Sequence, residues 1–165
     1  MLKLAGAAAI LISCLSLGFI KSYRMKKRCD SLNSLILATE RIGAEVSFTK
    51  KRLERIFNDT ARDFYLPVFS DAAVMMLNLG ARHAWNRSLS KYADDMALTA
   101  SDVKAAKTLS SIGDFSGEEQ QKLIHTTLRL LEISYKEAIE KYNKTGKLYR
   151  SCGVLCGMLG VILLF

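Results

Sequence analysis

Apolar positions recur with a helical period through the middle of this chain and lose all periodicity at its two ends. Leu32, Leu35, Thr39, Ile42 and Val46 fall three or four residues apart, as one face of an α-helix requires. Ile124, Leu128, Leu131, Tyr135, Ala138 and Tyr142 repeat that spacing near the other end. The two stripes predict long helices that pack on each other or on shorter helices between them. Those shorter helices are predicted from Lys50 to Arg62, from Pro67 to Leu79, from Arg82 to Met96 and from Ser101 to Ile112, with Pro67 at a first-turn position. Ser116 followed by Glu119 has the spacing of a capping box and marks the start of the last helix, with Gly113 and Gly117 flanking the turn.

The candidate core follows from the same pattern: Phe48, Leu53, Ile56, Phe57, Phe64, Val68, Phe69, Met75, Met76, Leu77, Trp85, Leu89, Met96, Leu98, Val103 and Leu109. Ser88 falls between core positions and is taken as a surface site suitable for a labelling probe. With one proline and ten glycines in 165 residues, breakers are too sparse for a many-turned β architecture. The fold class expected is all-α: a small antiparallel helical bundle between an N-terminal and a short C-terminal transmembrane helix.

The ends carry the membrane signal. Seventeen uncharged, mostly apolar residues run from Leu4 to Ile20, which at about 1.5 Å per residue reaches the lower limit for a span. Ser151 to Phe165 is again uncharged, and Tyr149 with the stems of Lys147 and Arg150 extends it by snorkelling. Basic residues flank both runs on the inner side: Lys21, Arg24, Lys26, Lys27 and Arg28 after the first, Lys141, Lys144, Lys147 and Arg150 before the second. The positive-inside rule therefore places the middle of the chain in the cytosol and both termini outside. The division expected is a transmembrane helix at 1–20, a cytosolic helical domain at 21–150 and a short transmembrane segment at 151–165. Gly153 and Gly157 are candidates for close helix packing in the bilayer. Leu11-Ile12-Ser13-Cys14 resembles a lipoprotein processing box, a competing reading that would acylate Cys14 and export the domain; the basic cluster after it opposes export.

Candidate chemistry changes this picture little. His83 and His125 lie far apart without ligand-type residues at i+3 or i+4, and Cys14, Cys29, Cys152 and Cys156 have neither disulfide nor metal spacing. Asp94-Asp95 and Glu118-Glu119 are adjacent pairs whose side chains diverge on a helix. There is no phosphate-cradling glycine loop and no nucleophile elbow, so neither an enzyme nor a cofactor is expected. The net charge of +8 includes the run Lys50, Lys51, Arg52 and Arg55, a candidate contact for anionic lipid or a protein partner rather than nucleic acid.

Several short stretches resemble one family. Met1-Leu2-Lys3-Leu4 with Gly6 and Gly18, Glu45-Val46-Ser47-Phe48 with Leu53, Ala84-Trp85 with Leu89, and Gly113 seven before Gln120 are similar to the stage III sporulation protein AB family of endospore-forming bacteria, as is the apolar tail. Ser116 departs from an acidic residue usual in that family. The resemblance implies a domain like the cytosolic domains of the inner-membrane platform proteins of type II secretion and type IV pilus systems. It further implies a place in the channel complex between mother cell and forespore, anchored in the outer forespore membrane. The helical domain would lie in the mother-cell cytosol and couple a secretion-type ATPase to the channel during engulfment. A platform fragment serving export outside sporulation is the alternative.

Overall fold

The computed structural model describes the backbone of residues 2–49 and 51–164, and their side chains apart from 2–12, 14, 15, 17, 147, 150, 153, 154, 156, 157 and 160–164. All secondary structure among the described residues is helical: α1 (Leu2–Phe48), α2 (Leu53–Phe64), α3 (Pro67–Tyr92), α4 (Ala100–Lys107), a 3₁₀ turn (Thr108–Gly113) and α5 (Glu118–Leu164). No helix among the described residues is long and apolar enough to cross a membrane. The apolar runs 4–20 and 151–165 consist mainly of residues whose side chains lie outside that description.

The chain divides into a terminal unit, Met1–Cys29 with Glu137–Phe165, and a central unit, Asp30–Lys136. The core of the central unit is built from every helix that enters it. Leu32, Leu35 and Ile42 of α1, Ile56 and Phe57 of α2, Val68, Phe69, Trp85 and Leu89 of α3, Leu109 and Ile112 of the 3₁₀ turn, and Ile124 and Leu131 of α5 are all buried. Phe57, Phe69 and Trp85 form its centre, with ring centroids 4.9 to 5.7 Å apart and two of the three pairs edge-on. Each such side chain removed from water contributes about 1.5–3 kcal/mol, so this trio is a principal source of the unit's stability.

Local chemistry explains where the helices stop. Tyr65 adopts the left-handed conformation at φ 53° after α2, and the N–H groups of Tyr65 and Leu66 both donate to the Ala61 carbonyl. Pro67 then starts α3 at a position where no N–H is needed. Within α3, Gly80 sits at φ 74° and ψ 162°, conformations nearly closed to other residues, and breaks the helix into the two segments expected on either side of it. Thr99 opens α4 with a full capping box: its hydroxyl accepts from the Asp102 N–H, and its own N–H donates to the Asp102 carboxylate at 2.8 Å.

Four sequence expectations need correction. Ser116 does not cap α5, because Gly117 at φ 59° intervenes before the first helical residue, Glu118. Phe48 is 89% exposed, since it lies off the α1 stripe that ends at Val46. Leu77 is also exposed, because this segment of α3 leaves the core after Ala73: no residue from Val74 to Gly80 is buried. Ser88 is fully buried and its hydroxyl donates to the Val68 carbonyl at 2.6 Å, tying the two segments of α3 together.

Candidate functional site

The basic run after α1 is the first candidate, and the fold largely neutralises it. Lys50 lies outside the described residues. Lys51 reaches Glu45 at 3.1 Å and Asp59 at 3.7 Å, while Arg52 pairs with Glu54 at 2.7 Å. The hydrogen bond from Lys51 is the main reason the Glu45 carboxyl is held below the usual carboxylate range, aided by Arg41 and Thr49. Arg55 is exposed and has no ion-pair partner among the described residues, so it is the member of the cluster left to meet another molecule.

A second candidate is the open groove between α1 and α5 in the central unit, bordered by Val46, Ser47, Gly117, Gln120 and Gln121. Glu118 and Lys122 stand exposed at its edge, while the two amides inside it already have work. Gln120 donates to the Ile112 carbonyl at 2.8 Å, and Gln121 donates to Ser47 Oγ and the Gly43 carbonyl. Gly43 lets the helices close here, as a Cβ on it would stand 3.0 Å from Ile124. The groove is therefore a seam held by its own amides rather than a set of groups aimed at a ligand. His83 and His125 are exposed, and among the described residues no three His, Cys, Asp or Glu side chains gather as a metal site would need.

The terminal unit holds the third candidate. Here α1 and α5 lie side by side: the Thr145 hydroxyl sits 3.9 Å from the Met25 sulfur, and Ser22 and Gly146 are buried. Around that level Lys21, Arg24, Lys26, Lys27 and Lys144 are exposed, whereas Arg28 is buried. The side chains of Lys147, Arg150 and Cys14, and the surroundings of Gly153 and Gly157, lie outside what the structure describes. Phe19, Ile20, Tyr23, Leu148, Leu155, Met158 and Leu159 are each more than half exposed. The central unit, nearly twice as long, exposes Phe48, Tyr65, Val74, Leu77 and Ile133 to the same degree, so the terminal unit is the more densely apolar surface of the two.

Charge is distributed unevenly between the two units. The terminal unit contains ten Lys and Arg against two Asp and Glu, and the central unit fourteen of each. The whole net charge of +8 thus belongs to the terminal unit. Sequence windows alone did not expose this balance, because it depends on which distant segments fold together.

Taken together, these features define an all-helical protein with a neutral central unit and a basic, apolar terminal unit, and no convergent catalytic groups among its described residues. The stage III sporulation protein AB family matches residues 3–165. The stage III sporulation protein AB of Bacillus subtilis (strain 168) is 30% identical over 174 residues, an alignment covering 99% of each chain. The chain belongs to this family, and it is a sporulation protein. No solved structure matches it.

Proposed function

We propose that the protein is a non-catalytic structural component of the channel complex between mother cell and forespore. In this reading residues 4–20 and 151–165 anchor it in the outer forespore membrane, and the central unit faces the mother-cell cytosol. There it couples a secretion-type ATPase to the channel, alongside other stage III sporulation proteins. The observation that carries the reading is the terminal unit's combination of exposed apolar side chains with the entire positive excess of the chain. Basic residues immediately inside an apolar run are retained on the cytosolic side, which sets the orientation. Family membership favours sporulation over export in general.

Site-directed labelling tests the topology. Ser90 is exposed, unlike Ser88 two residues earlier. A chain carrying Ser90→Cys, with Cys14, Cys29, Cys152 and Cys156 replaced, should react with a membrane-impermeant maleimide only after sporulating cells are permeabilised. Labelling of intact mother cells would place the central unit outside and overturn the proposal.

A further inference from the structure

We propose that the exposed basic side chains of the terminal unit form a binding surface for the phosphate headgroups of anionic phospholipids, of the phosphatidylglycerol type. The inference rests on the membrane reading above and adds to it a lipid class. Lys21, Lys26, Lys27 and Lys141 are exposed and pair with no carboxylate among the described residues, and Lys144 meets only Glu140, at 3.8 Å. The Met25–Thr145 contact fixes the register that brings the two basic segments to one level, since the helices run antiparallel away from it. From that level, Phe19 and Ile20 lie toward the start of α1 and Leu148 toward the end of α5, all exposed. Lys26, Lys27, Lys141 and Lys144 lie on the opposite side of it.

The surface thus presents cations directly beside bare hydrocarbon. A nucleic acid or an acidic protein face would satisfy the cations and leave the apolar side chains in water. A phospholipid satisfies both, with its phosphate against the lysines and its chains against Phe19, Ile20 and Leu148. Lysine suits this task because a flexible stem lets the ammonium snorkel to the phosphate depth. In the cluster of the central unit, Lys51 and Arg52 already hold carboxylates.

The test uses the full chain. It is first reconstituted from detergent into vesicles of phosphatidylcholine alone and into vesicles of equal phosphatidylcholine and phosphatidylglycerol, and flotation is measured. The protein from the mixed vesicles is then re-extracted, and the retained lipids are quantified by mass spectrometry. Phosphatidylglycerol should be retained over phosphatidylcholine by at least about tenfold at low salt, the preference falling sharply toward 1 M salt. Replacing Lys21, Lys26, Lys27, Lys141 and Lys144 together by Gln should abolish the preference while flotation persists. Replacing Lys51, Arg52 and Arg55 by Gln should leave it intact. Equal retention of the two lipids, or loss of the preference with inorganic phosphate at an ionic strength where chloride preserves it, overturns the lipid surface while leaving the anchor standing. Failure to float with either vesicle overturns both.

Discussion

The indole N–H of Trp85 donates to the backbone carbonyl of Ala106 at 2.9 Å, joining the second segment of α3 to α4 at the heart of the central unit. Trp85 is 1% exposed and packs against both Phe57 and Phe69, so the bond is made where water cannot replace it. Trp85→Phe keeps an aromatic ring but removes that bond, leaving the carbonyl with only its backbone cap N–H and a void beside it. The expected loss is about 2–4 kcal/mol of unfolding free energy, read from denaturant titration followed by circular dichroism.

Two glycines should fail on substitution for different reasons. A Cβ on Gly113 would stand 2.9 Å from the Cβ of Ala81, a backbone-anchored atom that cannot swing aside. Gly113→Ala is expected to cost about 1–3 kcal/mol through this collision, and Ala81→Gly in the same chain should recover part of it. A Cβ on Gly80 would meet nothing within 4 Å, yet the φ of 74° there penalises any side chain. Gly80→Ala should cost a similar about 1–3 kcal/mol that no second substitution in the neighbourhood restores.

Much of this was legible beforehand, and the failures have physical causes. The stripe from Leu32 to Ile42 and the core positions Ile56, Phe57, Phe69, Trp85 and Leu89 follow from helical period alone, because burial on one face is what the period records. The cap at Thr99 was hidden, since its partner is Asp102 where the usual signature has Glu or Gln, while Ser116 showed the usual signature without the fold to use it. Phe48 and Leu77 show that a large apolar residue near the end of a helical segment answers to position rather than to type. The internal pairing of Lys51 and Arg52 was beyond reach because it needs Glu45, Glu54 and Asp59 placed around the turn between α1 and α2.

Asp71 gives the central unit a pH signature. Its carboxylate accepts hydrogen bonds from Lys91 and from the Tyr92 hydroxyl, and the bond from Lys91 chiefly holds it below its ordinary value of 3.8. Lys91 is raised above its ordinary 10.5, chiefly by the same bond. A lowered acid stabilises above its unfolded value and loses that contribution as pH falls through the folded one. A raised base stabilises below its unfolded value and loses the contribution as pH rises through the folded one. The melting-temperature advantage of the native chain over Asp71→Asn should therefore be flat between those limits and shrink below pH 3.8 and above 10.5.

Arg55 separates docking from folding better than its neighbours. Reversing Lys51 would set a third carboxylate beside Glu45 and Asp59, disturbing the turn itself. Arg55→Glu sets a carboxylate one turn before Asp59 on the exposed face of α2, a like-charge pair of only about 0.2–0.5 kcal/mol, so the melting temperature should fall by no more than about a degree or two. If the cluster contacts the ATPase, its Kd should rise roughly tenfold in a binding titration, the scale of losing and opposing one interfacial charge. An unchanged Kd would remove Arg55 from the docking surface.

The equal count of cations and anions in the central unit bears on how fast any binding partner finds it. With no monopole, that unit exerts little pull beyond a Debye length, about 8 Å at physiological ionic strength. Encounter is then left to undirected diffusion, in the range of about 10⁵–10⁶ M⁻¹s⁻¹ and nearly indifferent to salt. Selectivity has to be written in lifetimes: partners of every charge collide at similar rates, and the right one is the one that stays.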